Sequence, residues 1–124
     1  MAITPTKSNV LGNPTTDERT VTILLALALS ANYGGASTHG DTLSFSLLSE
    51  IASDQVPFSV LIFEAPPAGT APSFYTGIYC PGTTRDNGVV NFSLAGTEYT
   101  QGSAYSGALS TAVFFALVTF PAFV

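Results

Sequence analysis

A chain of 124 residues with one composition throughout fits a single domain, and at that size roughly two-thirds of the unfolded surface can be buried. Charged residues make up 9% of it against a usual value of about 25%, so solubility rests on hydroxyl groups, backbone and few charges. The net charge of −5, with Lys7, Arg19 and Arg85 the only basic side chains, leaves no patch for phosphates or anionic lipid and sets nucleic-acid and membrane-surface binding aside.

Residues 1–18, MAITPTKSNVLGNPTTDE, hold two prolines, the turn formers Gly12-Asn13-Pro14 and scattered apolar residues. They are expected to form an extended N-terminal arm and no core element, with residues 19–124 as the single β domain. From Arg19, RTVTILLALALS alternates Val21, Ile23 and Leu25 with Thr22, Leu24 and Ala26. The Thr-Val-Thr-Ile entry and the glycine-rich exit favour strand over helix, although Leu and Ala are good helix formers. Ile23–Leu29 followed by Ser30-Ala31 superficially resembles a secretion signal, but Asp17-Glu18 precede it and it starts too far in. With no leader read, the product is expected to stay where it is translated until it is assembled.

Thr42–Leu48 alternates Leu43, Phe45 and Leu47 with Thr42, Ser44 and Ser46, as a half-buried strand does. Leu48–Gln55 suits one helical turn ended by Val56-Pro57, and Phe58–Glu64 is a dense β-prone run closed by Ala65-Pro66-Pro67 and a loop to Pro72. Ser73–Cys80 and Val89–Leu94 flank Arg85-Asp86-Asn87-Gly88, whose Asn-Gly pair is a strong hairpin signal. A polar loop, 95–107, leads to a last strand over Ser110–Phe120. The apolar tail Ala112–Val124 is too short for the roughly 20 residues of a spanning helix and reads as a buried strand. About six turn-punctuated strands without a long helix predict an all-β, antiparallel β-sandwich or jelly-roll-like domain.

The sole histidine lies in His39-Gly40-Asp41, two places from a carboxylate and five from a serine. A serine hydrolase needs nucleophile, base, orienting carboxylate and oxyanion donors brought together, and neighbours in an extended loop rarely converge so. No G-x-S-x-G elbow occurs, and one histidine leaves a metal site short of ligands. The segment is read as a loop in which Gly40-Asp41 launches the next strand, with His39 available to a subunit contact. No enzyme activity, cofactor or metal is expected.

Weaker candidates are read similarly. Glu50 and Asp54, four apart, belong to a solvated face, and Asp17-Glu18 beside Arg19 to a charged strand entry. Asn91-Phe92-Ser93 meets the N-glycosylation pattern inside a strand, without a secretion signal. Cys80, the lone cysteine, is expected to be a small buried hydrophobe. The five tyrosines, Tyr33, Tyr75, Tyr79, Tyr99 and Tyr105, could line a sugar-binding surface.

In order and style, ITPTKSNVLGNPTTDERTVT, LALSANYGGASTHGDTLSF, IFEAPPAGTAPSFY, YCPGTTRDNGVVNF and GTEYTQGSAY before an apolar end resemble the small decoration, or cement, proteins of tailed-bacteriophage heads. The resemblance spans nearly the whole chain. It implies a β-sandwich made in the host cytoplasm that binds the major capsid protein on the outer capsid surface, often as a trimer, and reinforces the shell. Val10, Leu11 and Pro14 are expected to contact shell or neighbour, and the loops around Tyr33 to His39 and Tyr99 to Tyr105 to form subunit surfaces. The alternatives are a glycan- or receptor-binding module and a minor head or tail component.

Overall fold

The structure is a computed structural model that describes residues 3–11, 20–30, 32–34, 40–49, 51–100, 103–105 and 108–121. Eight strands and one helical turn follow in chain order among these residues: β1 (Ile3–Leu11), β2 (Thr20–Leu29), β3 (Asp41–Leu43), β4 (Ser59–Glu64), β5 (Tyr75–Cys80), β6 (Gly88–Leu94), β7 (Thr97–Glu98), α1 (Ala108–Thr111) and β8 (Phe114–Pro121). All pairings are antiparallel, in one sheet of order β1-β2-β8-β4-β5-β6-β3, with β7 added beside β6. The end strands β1 and β3 approach each other, so the sheet rolls into a nearly closed, sandwich-like barrel. The chain is therefore all-β and antiparallel.

Alternation sets the inside of the barrel. Ile23, Leu25 and Leu27 of β2, Phe114, Ala116, Val118 and Phe120 of β8, Ile62 of β4, and Val90 and Phe92 of β6 all point inward and are buried. Each fully buried large side chain stabilises the fold by about 1.5–3 kcal/mol relative to exposure. Their pairing is long and regular: β2 runs against β8 from Thr20 opposite Pro121 to Leu27 opposite Phe114. Gly77 is needed on the inner face of β5, because an added Cβ there would meet Ile62 Cγ2 at 2.7 Å and Phe92 Cε1 at 3.0 Å.

Several elements differ from their sequence expectation. Residues 3–11 are extended, but they do contribute to the core: β1 pairs with β2, Ile3 opposite Leu29, and Ile3 is fully buried. Polar Thr and Lys positions mask this strand in the sequence, and its register breaks between Lys7 and Asn9. The strand expected over Thr42–Leu48 stops at Leu43, after which Phe45 and Leu48 enter the core from turns. In place of a helical turn, the amides of Leu48, Ile51 and Gln55 donate to the carbonyls three residues back, those of Phe45, Leu48 and Ala52. Arg85 Nη1 holds this stretch by donating to the Leu48 carbonyl at 3.1 Å and to the Ile51 carbonyl.

The hairpin β5–β6 forms, but Asn87 acts outside any two-residue turn. Its Oδ1 accepts from the amides of Thr83 and Thr84, each at 2.9 Å, and closes the whole 81–87 loop on itself. The tight left-handed turn lies later, at Ala95-Gly96 (φ 51° and 86°), joining β6 to β7 inside what reads as a polar loop. Cys80 is exposed, contrary to expectation, because on β5 the inward positions are Tyr75, Gly77 and Tyr79 and the outward ones Thr76, Ile78 and Cys80.

Candidate docking face

The same alternation that fills the barrel leaves an unusual exterior. Outward positions are Thr22, Leu24, Ala26 and Ala28 on β2, Phe115, Leu117 and Thr119 on β8, Ser59, Leu61 and Phe63 on β4, and Thr76, Ile78 and Cys80 on β5. None of these carries a charge. Register aligns them in rows across the sheet: Leu24 lies opposite Leu117, Leu117 opposite Leu61, and Leu61 opposite Ile78. The next row holds Ala26, Phe115 and Phe63, with the two phenylalanine rings stacked at 5.8 Å between centroids. Leu61 is 58% and Ile78 57% exposed. A third row, Thr22, Thr119 and Ser59, rims the patch with hydroxyls, and Thr22 and Thr119 share a hydrogen bond of 3.2 Å. A patch with an apolar centre, a polar rim and no charge has the anatomy of a protein–protein interface core.

The sequence marks this face only indirectly. ILLALAL and FFALV are apolar at odd and even positions alike, where a strand with one wet face would alternate with polar residues. That double apolarity, together with FSVLIF, is the trace the face leaves in the order of amino acids.

The polar candidates converge elsewhere, at one end of the barrel interior. Asp41 is buried; its Oδ1 accepts from the Gly34 amide at 2.9 Å and its Oδ2 from the Tyr105 hydroxyl at 2.6 Å. The Tyr33 hydroxyl donates to Glu98 Oε2 at 2.8 Å and accepts from the Phe92 amide at 3.2 Å. The Tyr99 hydroxyl donates to the Ala104 carbonyl at 2.6 Å. Burial, then the bond to Glu98, holds the Tyr33 phenol well above its ordinary range; burial, then the bond to Asp41, does the same to Tyr105. Burial pushes Tyr79 up to about 12, with Asp86 adding to it.

The structure thus brings Tyr33, Tyr99 and Tyr105 together, with Tyr33 edge-on to the other two rings and Tyr99 stacked on Tyr105. It places the Tyr33 and Tyr105 side chains in the interior, while Tyr99 is part-buried. Chemically the arrangement ties the 32–34 segment, β3, β6 and the 103–105 segment into one network. Val10 and Leu11 end β1 opposite Ile23 and Thr22, while Pro14, His39, Asp17, Glu18 and Glu50 lie outside the described residues. Asp54 is exposed, and Asn91 sits in β6 beside buried Phe92. Among the described residues, no three His, Cys, Asp or Glu group to hold a metal, and no helix is long and apolar enough to cross a membrane. Compared with family models, with curated proteins and with solved structures, the chain matches none.

Proposed function

We propose that this chain is a structural, non-enzymatic virion protein that binds the outer surface of a phage capsid, contacts the major capsid protein and reinforces the shell as a homo-oligomer. The observation that carries this reading is the charge-free apolar face on β2, β8, β4 and β5. Fully burying a Leu, Ile or Phe side chain is worth about 1.5–3 kcal/mol, so covering the partly exposed Leu61, Ile78 and Phe63 gives a few kcal/mol per copy without desolvating a charge. Repetition over a shell multiplies a modest gain per copy into resistance to internal pressure. The net charge of −5 suits the exterior, since packaged DNA repels an acidic domain.

The test is a count of this chain per purified particle by quantitative mass spectrometry, scaled to the most abundant shell protein. Hundreds of copies are expected; a handful or none defeats the reading. A second reading, a glycan- or receptor-binding module, is favoured by one local feature: the part-buried Tyr75 and Tyr99 flank an open cleft of about 420 Å³ that also presents Thr97 and Glu98. Glycan-array binding lost in Tyr75→Ala and Tyr99→Ala, with particle binding kept, would select it.

A further inference from the structure

Phe74, in the connection between β4 and β5, has φ 65°, a left-handed conformation that a bulky L residue rarely adopts, and it is 71% exposed. The fold holds it there. Glu64, at the end of β4, accepts the Ser73 amide on both carboxylate oxygens (3.0 and 2.9 Å) and the Ser73 hydroxyl on Oε1 (2.9 Å). Ser73 Oγ in turn accepts the Tyr75 amide at 3.2 Å, so the residues on either side of Phe74 are clamped while its ring points to solvent. Upstream, the Thr70 amide and hydroxyl both donate to the Pro67 carbonyl, at 3.1 and 2.6 Å, fixing the turn of the proline loop.

Beside this knob is a hole. Pro66, Pro67 and Pro72 of the loop, with Ala112 and Val113 before β8, form the apolar part of a cleft of about 370 Å³ whose wall also includes Glu64 and hydroxyl side chains. A closed apolar cavity of roughly 150 Å³ already admits benzene, so volume is no obstacle to a phenyl ring in this open, partly polar cleft. Ser73 forms part of its wall and Phe74 follows directly, yet Phe74 does not line it. Knob and hole are therefore neighbours on one surface, so a two-fold axis passing between them would carry each copy's ring toward the other's cleft. From 65 to 74 the loop carries no charge, and the one carboxylate at its base, Glu64, is already engaged by Ser73.

We propose that this loop is a self-association device: Phe74 of one copy enters the proline-lined cleft of a second, and the second copy's Phe74 enters the first. Because prolines, turn and clamp fix the loop beforehand, little conformational freedom is lost on pairing. This contact uses residues other than the outward ones of β2, β8, β4 and β5; it deepens the homo-oligomer part of the reading above, and because its test needs no shell, its failure leaves the particle count to decide capsid binding.

Sedimentation equilibrium of the purified full chain over a range of concentrations provides that test. A dimer is expected, strengthened by salt because each copy bears a net charge of −5. Phe74→Gly should weaken it roughly thirtyfold or more, as loss of an anchoring aromatic does, while raising the melting temperature of the dilute, monomeric protein because glycine accepts the left-handed φ. Ala71→Trp, which adds bulk to the cleft wall, should weaken association similarly in a chain that, when dilute, melts as the parent does. A monomer at every concentration, a trimer, or a dimer insensitive to Phe74→Gly overturns the proposal. Loss with Phe74→Gly but not with Ala71→Trp also overturns it, because the ring then docks outside the cleft.

Discussion

Replacing Tyr105 by Phe keeps the ring, which packs edge-on to Tyr33 at 5.7 Å and to Phe92 at 6.0 Å, and removes only the hydroxyl. Asp41 then keeps the Gly34 amide on Oδ1 and loses the 2.6 Å donor on Oδ2, inside a site closed to solvent. A hydrogen bond to a charged group is worth about 1.5–3 kcal/mol, and a buried carboxylate oxygen left without its donor lies toward the upper end. Unfolding entropy for 124 residues is on the order of 0.26 kcal/mol/K, so the melting temperature should fall by about 8–11 °C. Two further Tyr→Phe changes order the scale. Tyr33→Phe orphans the Phe92 amide but leaves Glu98, which is part-exposed, able to take up water, and should cost about 1–2 kcal/mol. Tyr99→Phe removes a bond to the exposed Ala104 carbonyl and should cost under about 1 kcal/mol. Thermal melts by near-ultraviolet dichroism at pH 7 read all three. If Tyr105→Phe melts no lower than Tyr99→Phe, Asp41 is reached by water and the reasoning fails. Adding Asp41→Asn to Tyr105→Phe should recover part of the loss, because the orphaned group is then uncharged; strict additivity in that cycle would also refute the account.

Alkaline pH should unfold the protein. Tyr33 and Tyr105 have folded pKa values raised above the ordinary 10, so their contribution is complete below pH 10 and is lost as pH rises from there toward the folded values. Unfolding free energies from denaturant titrations should fall by about 1.4 kcal/mol per pH unit for each group above pH 10, and a flat profile to pH 11.5 would contradict it. Gly77→Ala should cost about 1–3 kcal/mol in the same denaturant titration, since its Cβ must displace Ile62 and the ring of Phe92. On the exterior, Leu61→Asp should leave the melting temperature within about 2 °C because Leu61 is more exposed than buried, and under the proposed capsid role it should abolish co-sedimentation with shells. Cys80 should react fully with a thiol reagent in the native protein, without a lag for unfolding.

What the sequence could tell followed from how far apart the cooperating residues lie. β2, β4, β6 and β8 are local patterns of β-prone and apolar residues, and each appears within a residue or a few of its expected span. The inner network is non-local. His39 and Asp41 attract attention because they are neighbours, whereas the hydroxyl that Asp41 binds is 64 residues away and the amide that Tyr33 binds is 59 away. Tyrosine suits both a wet surface and a satisfied interior, so its type alone does not separate the two. Cys80 fails for a simpler reason: burial on a strand is decided by parity, and parity on β5 is set by Gly77 packing under Ile62 and Phe92.

Strands that are apolar on both faces pose a specificity problem, because sliding β2 or β8 by one residue exchanges two sets of hydrophobic side chains with small loss. The binary pattern leaves that register weakly determined. Polar contacts supply what the pattern lacks. On the outer face, the Thr22 and Thr119 hydroxyls meet in only one register of β2 on β8. At the β4–β8 end, the Ala65 amide donates to the Val113 carbonyl at 2.9 Å and Glu64 holds Ser73. Beyond β3, Arg85 gathers the carbonyls of Leu48 and Ile51, and at its start Asp41 joins Gly34 to Tyr105. A slip of one residue would break such contacts and bury unpaired groups at about 1–3 kcal/mol each, more for the carboxylates. Asp41, Glu64 and Arg85 are therefore placed where their contacts disfavour a slipped register, which lets the exterior of four strands be apolar without making inside and outside interchangeable.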